Sequence, residues 1–251
     1  MSTTVTHFPH RELALFGETV VVIGGSAGIG LETARLARAE GAEVIVTARN
    51  AERLERAAAD VGAVSSSAFD ATDPALVDRF FRGLPAVDHV MVTAGRPPYG
   101  RLIDMDLAEA RRAIDDHVLM LMRVARDAVS KVRQGGTLIF MSGTGARHPG
   151  VGIGLSATLT AALPALAANL ALELAPIRVN VIAAGFVDTP LSATLLGDEL
   201  EKRRDQLRTT LPIRRVVQAA DVAALAVHIM TNTALTGATY DIDGGQQLLA
   251  S

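Results

Sequence analysis

Residues 19–46 read TVVVIGGSAGIGLETARLARAEGAEVIV. The β-branched run 19–23 fits a strand buried on both faces, and a glycine turn follows it. Apolar residues at helical spacing over 29–40 predict an amphipathic helix, and 43–46 predicts a second strand. This is a βαβ unit. Gly24, Gly28 and Gly30 are spaced G-x-x-x-G-x-G, a variant of the commoner G-x-G-x-x-G. The physical demand is unchanged: a tight turn, close approach of backbone to a pyrophosphate, and free N–H groups at the helix start facing the anion. Gly24, Ser26, Ala27, Gly28, Ile29 and Gly30 are therefore the predicted cradle for a dinucleotide. An ordinary glycine turn of an α/β protein is the competing reading, and the placement between strand and helix argues against it.

Working outward, strand and helix patterns alternate along all 251 residues. Further strands are predicted at 64–68, 89–92, 137–141, 178–182 and 239–242, with long helices at 106–132 and 153–174. Alternation of this kind predicts a single α/β domain over 1–251, a doubly wound parallel sheet of Rossmann type with helices on both faces. Residues 1–16 read as a loose arm. The uncharged stretch 149–172 contains Pro164 and Asn169 and lies between two strands, so it is expected to be a buried helix rather than a membrane span.

Composition narrows the function classes. A net charge of −3 gives no basic footprint for nucleic acid or an anionic membrane. The absence of cysteine removes disulfides, thiolate chemistry and cysteine-bound metal, and suits the cytoplasm. The six histidines show no metal-ligand pairing, so no metal is expected. The N-terminus has no basic segment leading into an apolar run, unlike a signal peptide.

Further motifs follow in order: FDATD at 69–73, TAG at 93–95, RVNVIAAGFVDTP at 178–190 and TGATYDIDGG at 236–245. Together with GGSAGIG at 24–30, the chain resembles the short-chain dehydrogenase/reductase family over nearly its whole length. The resemblance implies a nicotinamide cofactor and a homodimer or homotetramer. It also implies that Asp70, followed by Ala71, sits by the adenine. Ala94 and Gly95 match the end of the family's N-N-A-G motif, its asparagines being Val92 and Thr93 here, a change expected to weaken hydrogen bonds at the sheet edge. Gly185 survives from a P-G pair whose proline is Ala184, Val187 follows, and Thr189 matches the threonine that holds the carboxamide. Residues 189–215 correspond to the variable substrate lid. At the end of the second strand, where an NAD site places a carboxylate, the chain has Thr47, Ala48, Arg49 and Asn50. Arg49 offers a planar fork suited to a 2′-phosphate, which favours NADP(H); otherwise it is a solvated arginine at a helix start.

The catalytic half departs from the family pattern. Alignment through MSGTGARHPGVGIGLSATLTAAL places Gly143 at the family's serine, Ser156 at its tyrosine and Thr160 at its lysine, and IDDHVLMLMRVA places His117 at its asparagine. The only tyrosines are Tyr99 and Tyr240, so no small shift of register restores the set. A serine hydroxyl is far less acidic than a phenol and shorter in reach. Ser142 could stand in for the missing serine, although strand alternation turns it the other way. His117 is either a proton donor or a structural hydrogen-bonder, and Tyr99 either a proton donor or an aromatic wall. Arg147 and His148 either bind an anionic substrate or are solvated. Pro164 is expected to break the helix that carries Ser156 and Thr160. Two functions fit: an NADP(H)-dependent oxidoreductase acting on an unidentified small organic substrate with a non-standard proton source, or a catalytically silent NADPH-binding sensor, partner subunit or scaffold.

Overall fold

A computed structural model describes residues 13–249. Seven parallel strands form the central sheet: β1 (Thr19–Ile23), β2 (Glu43–Ala48), β3 (Ser65–Ala68), β4 (Val87–Val92), β5 (Val132–Gly143) and β6 (Arg178–Ala184), then β9 (Thr239–Ile242) after a two-stranded ribbon of β7 (Val187–Asp188) and β8 (Val217–Gln218). The order is β3-β2-β1-β4-β5-β6-β9. Strand order reverses between β1 and β4, and the crevice at such a switch point is where open α/β sheets hold ligands.

Residue alternation splits the core into two layers. Val21 and Ile23 of β1 pack with helices α3 (Pro74–Gly83), α5 (Met120–Ala128) and α6 (Gly154–Glu173), whereas Val20 and Val22 pack with α1 (Gly28–Ala39), α2 (Ala51–Val61) and α9 (Ala219–Thr231). The doubly wound class read from the alternation of elements is the observed one. Arg178 and Asn180 explain their motif: buried at the start of β6, they donate to carbonyls of Ile229, Met230 and Leu235, anchoring the segment that leads into β9.

Four expectations are corrected. Within the arm assigned to 1–16, residues 1–12 lie outside the described residues, but 13–16 form a turn in which Leu15 is fully buried and its N–H bonds to the Glu40 carbonyl. The helix expected at 106–132 is α4 (Leu107–Ile114), a π turn at Asp115–Leu119, and α5. The wider turn lets α4, which buries nothing, precede α5, which turns Met120, Leu121, Val124, Ala125 and Ala128 into the core. Third, α6 runs unbroken through Pro164, because the flanking turns and the packed Leu159, Leu163 and Ala167 hold its axis. Fourth, α6 is long and apolar enough to cross a membrane, yet it buries only one face, against β5 and β6. Its other face, including Ala161, Ala162, Ala165, Ala168 and Leu172, is exposed.

Residues 189–215 fold as α7 (Pro190–Leu196), a short 3-10 turn and α8 (Leu200–Thr210). Arg204 ties α8 to Asp188 at 2.6 Å, and Leu207 and Leu211 pack with Val216.

Candidate nucleotide-binding and catalytic site

The turn after β1 is built by contact. A Cβ on Gly30 would lie 2.3 Å from the Gly24 carbonyl oxygen and 2.5 Å from Thr93 Oγ1, and one on Gly24 would lie 2.7 Å from the Ala94 nitrogen. Gly24 also has φ +100°, open to glycine at no steric cost. Helix α1 starts at Ala27 with no side-chain cap. Its first N–H groups are therefore free to receive an anion. Gly28 faces the Thr189 side chain, 3.4 Å from where its Cβ would be. Ile29 joins the core layer of α1 and α9. These features fit a dinucleotide: a backbone cradle that a Cβ would fill, at the sheet's switch point.

Thr93 corrects one expectation. Although it replaces an asparagine of the family motif, its Oγ1 lies 3.2 Å from the carbonyls of both Ile23 and Gly24, so the link between β4 and the glycine turn is kept. Ala94 bonds through its N–H to Ile23 O. Gly95, with φ +132°, faces the imidazole of His117, where a Cβ would lie 3.7 Å from Cε1.

At the other end of the cradle, Arg49 extends into solvent, 74% exposed, with Nη1 3.8 Å from Asp70 Oδ2. Asp70 Oδ1 accepts from the N–H and hydroxyl of Thr72, fixing the carboxylate, and Ala71 is buried beside it. Arg53, absent from the sequence reading, donates from Nε to the Ser26 hydroxyl at 3.3 Å. A signal for it existed: Arg53 sits in the first turn of α2, where the helix dipole disfavours a cation unless an anion is near. Arg49, Arg53 and Ser26 thus share one end of the cradle.

On the third side, Gly185 lets the segment after β9 cross closely, since a Cβ there would lie 2.6 Å from Asp243 Cβ. Val187 is buried and pairs with Val217. Thr189 caps α7 through its hydroxyl, which accepts from the Ser192 N–H.

The polar groups assigned to catalysis separate by surroundings. His117 lies in the π turn, partly buried. Burial pushes its imidazole below the ordinary histidine range, and Asp116 only partly offsets this. Tyr99 is more than half exposed, and the shelter it has raises its phenol, which stays protonated at neutral pH. Ser156 is buried on α6 with no hydrogen-bond partner among the described residues, while the Thr160 hydroxyl donates to Ala157 O. Ser142 Oγ is enclosed and unpartnered. A Cβ on Gly143 would lie 3.5 Å from Thr160 Cγ2, in ordinary van der Waals contact. The lysines are engaged elsewhere, Lys131 on the carbonyls of Arg82 and Leu84 and Lys202 on Glu199. Arg147 stays exposed while pairing with Asp241, and His148 Nε2 bonds to the Gln247 carbonyl at 2.6 Å. Among the described residues, no group of three or more His, Cys, Asp or Glu side chains could hold a metal ion.

A family model described as enoyl-(acyl carrier protein) reductase matches residues 24–247. A solved small-chain dehydrogenase in complex with NADPH superposes with a TM-score of 0.81 at 30% identity, covering 92% of this chain and 99% of that one. The chain belongs to the short-chain dehydrogenase/reductase family. The reductase/Diels-Alderase MalC from Malbranchea aurantiaca, another such dehydrogenase, matches with a TM-score of 0.89 at 25% identity over 96% of this chain and 100% of its own. A relative from Escherichia coli K12, the cyclic-di-GMP-binding biofilm dispersal mediator protein, is 28% identical over 92% of this chain and 98% of its own length. Family membership makes the chain a dehydrogenase/reductase by type.

Proposed function

We propose that this short-chain dehydrogenase/reductase binds NADP(H) and is an oxidoreductase acting on a small organic substrate, with His117 rather than a tyrosine managing the substrate proton. The single observation that carries the reading is that the His117 ring faces Gly95, the residue that ends the wall beside the glycine turn, so closely that a Cβ there would lie 3.7 Å from its Cε1. The cofactor, when bound, supplies or accepts the hydride. The chain holds it by the free N–H groups of α1, by Thr189 and Gly185 on the opposite wall, and by Arg49 and Arg53 at a 2′-phosphate. The neutral imidazole of His117 accepts a substrate hydroxyl proton in the oxidative direction. Ser156, Thr160 and Gly143 make the site a degenerate one, in which Ser156 offers a hydroxyl to the substrate oxygen and Tyr99 a wall.

Arg49→Asp tests the cofactor assignment. A charge-assisted bond contributes about 1.5–3 kcal/mol, so NADPH is expected to bind the variant at least tenfold more weakly, while NADH holds or gains. Titration by fluorescence reads both, and an unchanged NADPH affinity refutes the 2′-phosphate role.

A second reading, a catalytically silent NADPH-binding protein, is favoured by the four replaced positions and by the likeness to a relative named for ligand binding. Absence of turnover on any carbonyl or alkene, with tight NADPH binding, selects it.

The exposed alanine face of α6 supports a homodimer or homotetramer. Light scattering is expected to give at least twice the chain mass, and Ala165→Arg to reduce it. A monomer in the native protein contradicts the assembly.

A further inference from the structure

The loops that follow β4 and β5 carry an exposed apolar patch at the same sheet edge as the glycine cradle. Val151 is 88% exposed, Ile103 81%, Leu102 58% and Tyr99 57%. They form one surface, because the Gly100 N–H bonds to Gly152 O at 2.8 Å and Leu102 lies over Gly154, where a Cβ would come within 2.6 Å of it. Large apolar side chains gathered on a surface mark a binding face rather than scatter. The charged side chains around them are paired, Arg147 with Asp241 and Arg101 with Asp104 at 3.5 Å, and His148 Nε2 is bonded to the Gln247 carbonyl. Arg96, next to Gly95, is the one nearby cation without a partner among the described residues.

We propose that these two loops are the specificity wall of the site, and that the substrate they select is uncharged and carries an aliphatic chain. The inference rests on the oxidoreductase reading above and deepens it. A chain of several carbons leaving the reacting carbon beside Gly95 and His117 runs outward over Tyr99 and Leu102 toward Ile103 and Val151. Burial of each added methylene then tightens binding.

The test is calorimetry of the full-length protein saturated with NADP+, with straight-chain 2-alkanones from 2-pentanone to 2-undecanone, a pairing that cannot turn over. Affinity is expected to rise about three- to fourfold per methylene and to level off when the chain passes the patch. Ile103→Asp and Val151→Asp, both at highly exposed positions, are expected to flatten that slope while NADP+ affinity stays the same. A flat series in the native protein, an unchanged slope in both variants, or tighter binding of the matching carboxylates through Arg96 overturns the proposal. A variant that alters subunit assembly without altering the slope also overturns it, since the patch is then a subunit contact. Failure of NADP+ itself to bind, measured first, counts against the cofactor reading and is told apart from failure of the wall.

Discussion

Gly30→Val is expected to abolish NADPH binding and to lower the melting temperature by about 10 °C. The added Cβ alone would sit 2.3 Å from Gly24 O and 2.5 Å from Thr93 Oγ1. Neither neighbour can yield without moving a strand end, because Gly24 and Thr93 are bonded to β2 and β1 respectively. Overpacking in a rigid core costs about 1–3 kcal/mol, sometimes more, and each kcal/mol moves the midpoint about 2–4 °C at this chain length. Gly28→Ala separates the two effects. Its Cβ would meet Thr189 at 3.4 Å and Pro190 at 3.9 Å, both ordinary van der Waals distances, although φ is +54°, so the fold is expected to survive while binding weakens. Thermal denaturation with and without NADPH reads both variants. A Gly30→Val protein that melts normally and binds NADPH contradicts the cradle.

His117→Ala is expected to lower turnover of the native substrate about a hundredfold, the usual scale for losing a general acid or base. Its pH dependence follows from the direction of its shift. Burial lowers the imidazole, so the neutral form persists to more acid pH than in water. As a base for alcohol oxidation it is available throughout the neutral range, and the rate falls only as pH drops through the lowered value. As an acid for carbonyl reduction it is scarce at neutral pH, and the rate rises on acidification. Stopped assays in both directions across the acid range are expected to show these opposite slopes. Equal slopes, or a His117→Ala enzyme at full rate, place the proton elsewhere.

The glycine turn was legible because its requirement is local: three backbone positions where a side chain has no room. The sheet was legible for a similar reason, since residues 20–23 of β1 are a continuous apolar run that only burial on both faces explains. The π turn at His117 was not. Nothing in residues 115–119 departs from helical spacing, and the widening arises from fitting a polar α4 and a core-facing α5 onto one sheet. Arg53 was missed because its partner, Ser26, lies 27 residues away in the chain, with α1 and β2 between them. The engagement of Arg147 and His148 depended on where β9 and the following segment fold back, a long-range event that sequence spacing does not encode. Pro164 misled in the other direction: local propensity predicted a break, and packing along β5 and β6 overrode it.

Direct titration of the native protein with NADPH and NADH, followed by melting temperature, tests the cofactor account most directly. A ligand that binds only the folded state stabilises it by about 2.7 kcal/mol at one hundred times its dissociation constant. At this length that is a rise of roughly 5–10 °C. The account requires a rise of that size with NADPH and a clearly smaller one with NADH at equal concentration. Equal shifts with the two cofactors, or none with either, would contradict it.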